Sequence, residues 1–285
     1  MLRKSLLVAA ALTYVSAADA KPTYTAFDPP GSVNTYAFSI NAKGSIAGSY
    51  VDSNYAHHGF VRATDGTITA FDAPGSISTD VALYGINSKG AIAGYYQDAN
   101  YVFHGFARAT NGTITAFDPS GSVETDVSGI NGKGSISGYY YDSNYAGHGF
   151  VRAANGTITA FDPPGSVSTA AYAINGNGSI AGFYYDSNYI AHGFVRAADG
   201  TITAFDPAGS ISTVASAIDG KGSIAGYYED ANYVSHGFVR AADGTITAFD
   251  PAGSIFTFAI GINSARAIAG YYSDGSVYHG YLRTP

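Results

Sequence analysis

The stretch YYEDANYVSHGFVRAADGTITAFDP, residues 227–251, decides the fold because most of it occurs again elsewhere in the chain. Nearly the same letters stand at 139–163, as YYYDSNYAGHGFVRAANGTITAFDP, and again at 183–207. Aligned on the Phe of AFD, the copies have a period of 44 residues with one step of 46: Phe27, Phe71, Phe117, Phe161, Phe205 and Phe249. Six copies of a unit this long predict a repeat architecture.

A single unit, residues 172–206, contains four short apolar runs separated by turn sequences. The runs are YAIN, SIAGFYY, HGFVRA and TITAFD, and the intervening segments are GNG, DSNYIA and ADG. Asp-Gly and Asn-Gly pairs favour the positive φ angles of tight hairpins. Each unit is therefore predicted to form a four-stranded antiparallel sheet with strands a to d. The density of Gly and Pro argues against any helix after Ala20.

The two ends of the chain indicate how the units are arranged. The last copy stops after strand c, at YHGYLRTP, whereas the first strand a is preceded by an extra strand d, TYTAFDPP at 23–30. An open solenoid gives no reason for this offset, but a ring does, because the N-terminal strand completes the last sheet. The predicted fold is all-β, a six-bladed β-propeller of four-stranded antiparallel blades, closed by residues 23–28. Residues 21–285 are expected to form this single domain, as a monomer.

Two units show a resemblance to a known family. GINSKGAIAGYYQDANYVFHGF and GINGKGSISGYYYDSNYAGHGF resemble the HAF-type repeats of bacterial extracellular proteins. Those repeats pair a G-I-N-x-x-G-x-I-x-G stretch with a downstream His-small-Phe, and Gly replaces the usual Ala here. The resemblance covers nearly all of residues 21–285. It implies export and a β-propeller-like fold, but it brings no activity and no catalytic residues.

The first twenty residues, MLRKSLLVAAALTYVSAADA, have the pattern of a signal peptide. Arg3 and Lys4 form a positive segment, residues 6–12 are apolar, and Ala18-Asp19-Ala20 is a small-x-small cleavage site. The apolar run is too short to anchor the chain in a bilayer, and no membrane span is predicted. We expect cleavage after Ala20 and a secreted, periplasmic or cell-surface location.

Composition excludes several classes of function. The net charge is −7 without a basic run, which argues against binding to nucleic acid. The chain has no cysteine, which excludes thiolate metal sites and thiol catalysis. Six repeated histidines would stand in different blades, too far apart to share one ion, and each is expected to hydrogen-bond a neighbouring strand or loop instead: His58, His104, His148, His192, His236 and His279. No metal and no cofactor is expected.

The loops between strands b and c predict the candidate binding surface, a rim of acidic and aromatic side chains. Tyrosine can stack on the apolar face of a sugar while carboxylate and amide groups bind its hydroxyls. The candidate ligand-binding residues are Tyr55, Tyr101, Tyr145, Tyr189, Tyr233, Asp98, Asp142 and Asp186. The alternative is a purely structural loop, built on Asx turns with the tyrosine packed between blades. The near-identity of the copies favours this alternative, since a single site need not repeat.

Three acidic residues break the repeat symmetry and are the candidates for chemistry. Asp80, Glu124 and Asp126 lie where other units carry uncharged residues, near the start of a channel-lining strand. Paired carboxylates can cleave glycosidic bonds, but we expect these three to be solvent-facing and unpaired. No catalytic sequence motif is present, so we predict that the protein is not an enzyme.

The predicted function is a binding module for an extracellular glycan or protein partner. The alternatives are a structural or adhesive repeat protein and, less favoured, a glycan-cleaving enzyme.

Overall fold

The computed structural model describes residues 25–285, which contain 23 β-strands and no helix. The all-β prediction is confirmed. No helix in this range is long and apolar enough to cross a membrane. The predicted signal peptide, residues 1–20, lies outside the described residues.

The strands follow one another in six units, numbered here from the N-terminus. Unit 1 contains β1 (Ser32–Ile40), β2 (Ile46–Asp52), β3 (His57–Arg62) and β4 (Ile68–Phe71). Unit 2 contains β5 (Ser76–Ile86), β6 (Ile92–Asp98), β7 (Phe103–Arg108) and β8 (Ile114–Phe117). Unit 3 contains β9 (Glu124–Ile130), β10 (Ile136–Tyr141), β11 (Gly147–Arg152) and β12 (Ile158–Phe161). Unit 4 contains β13 (Ser168–Ile174), β14 (Ile180–Tyr185), β15 (Ala191–Arg196) and β16 (Ile202–Phe205). Unit 5 contains β17 (Ser210–Ile218), β18 (Ile224–Asp230), β19 (Ser235–Arg240) and β20 (Ile246–Phe249). Unit 6 contains β21 (Phe256–Ile262), β22 (Ile268–Ser273) and β23 (Tyr278–Arg283).

Each unit is an antiparallel sheet in which the strands pair in chain order. The four strands predicted within residues 172–206 are confirmed, although β13 begins earlier because Ser168 already pairs with Tyr185. A single parallel pairing of Tyr84 with Gly129 joins units 2 and 3. Within residues 25–285, unit 6 has three strands where the other units have four.

Aromatic side chains pack one unit against the next. In unit 3 the fully buried Phe150 of strand c meets Phe117, from strand d of unit 2, edge to face at 5.9 Å. Arg152 lies over the other ring of this pair, 4.8 Å from the centroid of Phe117. Gly138 makes room for Phe150, because a Cβ there would lie 2.7 Å from that ring. The equivalent ring pairs are Phe71–Phe106, Phe161–Phe194, Phe205–Phe238 and Phe249–Tyr281.

Asparagine side chains in the a–b turns link neighbouring units. Asn131 Oδ1 accepts hydrogen bonds from the backbone N–H of Lys133 and Ser135, each at 3.0 Å, which folds its own turn. Its Nδ2 donates to the carbonyl oxygen of Asn175 in the next unit at 3.0 Å. Equivalent bonds link units 1 to 2, 2 to 3 and 4 to 5: Asn41 to Asn87, Asn87 to Asn131 and Asn175 to Asp219. We call this series of bonds the asparagine chain.

The N-terminal segment lies against unit 1. Residues 25–29 form no strand, and no pairing joins them to β23; residues 23 and 24 lie outside the described residues. Phe27 nevertheless meets Phe60 edge to face at 6.0 Å, and Arg62 lies 5.0 Å from its ring centroid. Phe27 thus takes the place that a strand-d Phe takes at every other junction. The predicted closure of the ring remains a prediction.

Candidate functional site

Each b–c loop is folded by its aspartate. In unit 3 Asp142 Oδ1 accepts hydrogen bonds from the backbone N–H of Asn144 at 2.8 Å and of Ala146 at 3.0 Å. These backbone donors hold the pKa of Asp142 below its ordinary value, and the N–H of Ala146 has the larger effect. The same turn and the same direction of pKa shift occur at Asp52, Asp98, Asp186 and Asp230. The Asx-turn interpretation of these loops is confirmed.

The tyrosines of these loops point into solvent instead of packing between blades, so that part of the structural alternative is wrong. Their exposed fractions are 84, 73, 75, 79 and 72% for Tyr55, Tyr101, Tyr145, Tyr189 and Tyr233. All five take a left-handed backbone, with φ between 59 and 65°. The rings are exposed because each tyrosine closes a turn at the loop tip, its N–H bonded to the aspartate carbonyl oxygen.

A left-handed backbone is costly for tyrosine and easy for glycine. A residue with a Cβ loses about 1 to 2 kcal/mol in this conformation. In unit 6, where the loop tyrosine is absent, Gly275 takes the positive φ, at 95°. Five loops therefore keep an exposed aromatic ring at a backbone position that disfavours it.

Each of the repeated histidines lies between the b–c loop and the AFD aspartate of its own unit. In unit 2 His104 Nδ1 lies 2.7 Å from Asp118 of the AFD motif, and Nε2 lies 3.7 Å from the loop residue Asp98. The imidazole also stacks on Tyr96 at 5.1 Å. Units 1, 3, 4 and 5 repeat this arrangement at His58, His148, His192 and His236. Among residues 25–285 no group of three or more His, Asp or Glu side chains is arranged to hold a metal ion.

A groove of about 590 Å³ separates the loops of units 1 and 2. Tyr55 and Tyr101 stand on its two sides, and His57, Asp80 and Phe103 line its wall. His57 Nδ1 and Asp80 Oδ1 are 2.9 Å apart, which joins the two units across the groove. The groove thus combines two exposed aromatic rings with fixed polar groups.

This groove is lined by larger side chains than those at the equivalent positions of units 3 to 5. Where units 1 and 2 have His57 and Phe103, the later units have the small buried residues Gly147, Ala191 and Ser235. A Cβ at Gly147 would meet the Ser168 hydroxyl of the next unit, so a side chain as large as His57 or Phe103 would need that unit to move.

A second cavity, of about 380 Å³, lies in the centre of the molecule and is lined by residues from Phe38 of unit 1 to Ile260 of unit 6. Unit 2 contributes most to it because β5 has two extra residues. Val81 and Gly85 are separated by three residues, whereas the equivalent Val127 and Gly129 of β9 are separated by one. The insertion places Tyr84 across the cavity, and its hydroxyl donates to the carbonyl oxygen of Ile260 at 2.9 Å.

Asp126 is the acidic residue of this central cavity. Burial raises its pKa to about 6, and the nearby negative charge of Glu124 adds to the shift. The Tyr139 hydroxyl beside the carboxyl opposes the shift by favouring the charged form.

The expectation that the three symmetry-breaking acids are solvent-facing and unpaired is wrong for two of them. Asp80 pairs with His57 in the groove, and Asp126 lies in the central cavity. Tyr95 lines both cavities and separates the two sites. Asp126 is partly buried because it lies in β9, which lines the central cavity.

Three features were not anticipated from the sequence. The asparagine chain and the identity of the carboxylates that pair with the histidines depend on which strands become neighbours. The 46-residue step shows that unit 2 is longer, but it does not show that the extra residues line the central cavity. The signal for the His–Asp pairs is the constant 14-residue separation of each histidine from the AFD aspartate.

Comparison with solved structures gives several β-propellers. The β-propeller domain of the Trilobed protease from Pyrococcus furiosus has a TM-score of 0.62 at 10% identity, covering 87% of this chain and 82% of that one. Virginiamycin B lyase from Staphylococcus aureus has a TM-score of 0.54 at 15% identity, covering 87% and 83%. The six-bladed lectin of Aleuria aurantia has a TM-score of 0.47 at 14% identity, covering 86% and 89%.

At these identities the likeness shows the fold alone. No family model matches the chain, and no curated protein matches it. The resemblance to HAF-type repeats therefore stays a prediction, and the chain is similar to β-propellers in fold.

Proposed function

We propose that this protein is a secreted or surface-exposed β-propeller that binds an extracellular glycan through its b–c loops. The observation that carries the proposal is the set of five exposed tyrosines with positive φ. Their rings gain little packing and their backbone is unfavourable, so folding stability does not explain tyrosine there. An exposed aromatic ring beside carboxylate and amide groups matches the chemistry of sugar recognition.

The groove between units 1 and 2 is the strongest candidate for the principal site. Tyr55 and Tyr101 can stack on a pyranose ring that enters the groove. The His57–Asp80 pair and the Gln97 amide offer donors and acceptors to its hydroxyls. Gln97 is held in place because its Nε2 donates to the Tyr101 carbonyl oxygen at 3.0 Å.

A glycan array followed by calorimetric titration tests this function. Tyr101→Gly and Tyr55→Gly should each weaken binding about fivefold or more, since one stacked ring contributes about 1 kcal/mol or more. Tyr233→Gly is the matched control, because it makes the same change in an equivalent turn outside the groove. It should change the affinity less. Silence of the wild-type protein across the array would favour the structural or adhesive alternative.

A glycan-cleaving enzyme is the second candidate, favoured by the raised pKa of Asp126. A carboxyl with a pKa of about 6 could act as a general acid near neutral pH. Its partner would be Glu124, because Asp80 is paired with His57 in the other cavity. Release of reducing sugar that disappears in Asp126→Asn would support this function over simple binding.

We also propose that the six units are six blades of a closed ring. Phe27 occupies the strand-d position beside unit 1, and within residues 25–285 unit 6 has no strand d. Pairing of residues 23–28 with β23 would give unit 6 a fourth strand and would place the N-terminal segment in a sheet. The similar β-propeller domain of the P. furiosus protease has an open velcro topology, so an open arrangement is the competing possibility.

Export and membership of the HAF-type group are parts of the same proposal. They rest on the pattern of residues 1–20 and on the repeated G-I-N and His-Gly-Phe motifs. Mass spectrometry of the protein recovered outside the cytoplasm should find a mature chain that begins at Lys21.

A further inference from the structure

The central cavity has a chemical character different from that of the rim groove. Rings of Tyr84, Tyr95, Tyr139, Tyr172 and Tyr227 line it, and the charged group among its lining residues is the carboxylate of Asp126. No Lys, Arg or His side chain is among those lining residues. A partly buried anion surrounded by aromatic rings is therefore the main feature that a ligand would meet.

Asp126 has no cationic partner in the described chain. None of the ion pairs formed among residues 25–285 includes it. A buried carboxylate without a counter-charge is unfavourable, and the raised pKa reflects this cost. A bound cation would relieve it.

We propose that the central cavity binds a small organic cation, with its ammonium group against Asp126 and its body enclosed by the surrounding tyrosines. Aromatic faces attract ammonium and methylated ammonium groups through their quadrupoles, and a carboxylate adds direct charge attraction. The volume of about 380 Å³ is within the range of small-molecule sites.

Other occupants fit this cavity less well. A neutral sugar would leave the carboxylate without a counter-charge. A divalent metal ion needs several oxygen or nitrogen ligands, whereas Asp126 is surrounded mainly by tyrosines. Burial raises the pKa of Tyr139 and Tyr172 above the ordinary value, so these hydroxyls stay protonated and cannot act as anionic ligands.

The affinity should depend on pH through Asp126. A cation binds to the charged carboxylate, so binding should weaken as the pH falls through about 6, the pKa of Asp126. The titratable groups that face Asp126 come from its own strand and from neighbouring strands: Glu124, Tyr84, Tyr95, Tyr139, Tyr141 and Tyr172. Glu124 is the other carboxyl among them, and its charge would add to the attraction.

Calorimetric titration of the purified protein with choline, tetramethylammonium and benzyltrimethylammonium tests this inference. The neutral compound 3,3-dimethylbutan-1-ol serves as the isostere of choline. At pH 8 we expect at least one cation to bind, and the neutral isostere to bind at least about tenfold more weakly. Asp126→Asn should cause a similar loss for the cation, and wild-type affinity should fall between pH 7 and 5.

Asp243→Asn is the matched control, because it makes the same change in an exposed c–d turn outside the cavity, where units 2 and 3 already have Asn111 and Asn155. It should leave cation binding unchanged, as should Tyr101→Gly, which tests the glycan site separately. Absence of binding by all three cations would overturn the inference. Equal binding of the neutral isostere, or unchanged binding in a folded Asp126→Asn variant, would overturn it as well.

Discussion

Asp219 occupies the position in the a–b turn of unit 5 where units 1 to 4 have asparagine. Its Oδ1 keeps the local role, accepting from the backbone N–H of Lys221 and Ser223 at 2.8 Å. Its Oδ2 is buried and has no hydrogen-bond partner. The asparagine chain is therefore interrupted at this residue, because a carboxylate cannot donate to the next unit as an amide does.

Asp219→Asn should restore this link and stabilise the protein. The new amide would donate to the carbonyl oxygen of Asn263, by analogy with Asn131 and Asn175. We expect the free energy of unfolding, measured by urea denaturation, to rise by about 1 to 3 kcal/mol. The reverse change, Asn131→Asp, is the control and should lower it. An Asp219→Asn variant no more stable than the wild type would contradict this account.

At the residue scale, replacement of Asp126 should also change the free energy of unfolding, by an amount that depends on pH. Its folded-state pKa of about 6 lies above the ordinary value of 3.8, so the folded state holds the proton more tightly. The resulting destabilisation is fully present above pH 6 and disappears as the pH falls toward 4. Asp126→Asn should thus stabilise the protein by up to about 3 kcal/mol at pH 8 and have little effect at pH 4. A benefit that did not change between these pH values would argue against burial as the cause.

At the scale of the loop, the left-handed tyrosine in each b–c turn should destabilise the folded protein. Tyr189→Gly removes a ring that is 79% exposed and relieves the left-handed backbone at φ 59°. Because glycine also has more freedom in the unfolded chain, the net gain should be modest, about 0.5 to 1 kcal/mol. Thermal denaturation of Tyr189→Gly against Tyr189→Ala measures it, since alanine keeps the strain. A glycine variant less stable than the alanine variant would contradict the strain argument.

The elements also show what could be predicted from the sequence and what could not. The strands and Asx turns depend on residues close together in the chain, such as Asp142 and Asn144, and the repeat makes them visible. The position of Tyr84 depends on which residues of the different units line the central cavity. The unsatisfied Oδ2 of Asp219 depends on a neighbouring unit, and the exposure of the loop tyrosines depends on what surrounds them. Local patterns do not contain that information.

At the scale of the whole molecule, units 1 and 6 each leave uncovered a face that is covered in the other units. Ile40 of β1 is 67% exposed, whereas the equivalent Ile130 of β9 is 9% exposed. On the other side, Leu282 of β23 is 70% exposed. A ring would bury both apolar faces against each other, which is favourable by about 25 cal/mol for each Å² removed from water.

Ring closure would add a link to the asparagine chain by bringing the Asn263 amide to the carbonyl oxygen of Asn41, and this gives a test with an internal control. Asn263 Oδ1 folds its own turn through the N–H groups of Ala265 and Ala267, while the side chain is exposed. Asn263→Asp keeps those turn bonds, as Asp219 demonstrates for the same turn, but it removes the amide donor. In a closed ring it should lower the free energy of unfolding about as much as the interior change Asn131→Asp, roughly 1 to 3 kcal/mol. In an open molecule the Asn263→Asp effect should be within about 0.5 kcal/mol, as for other surface substitutions. Urea denaturation at low protein concentration decides between the two, because association of copies through the uncovered faces would make the result depend on concentration.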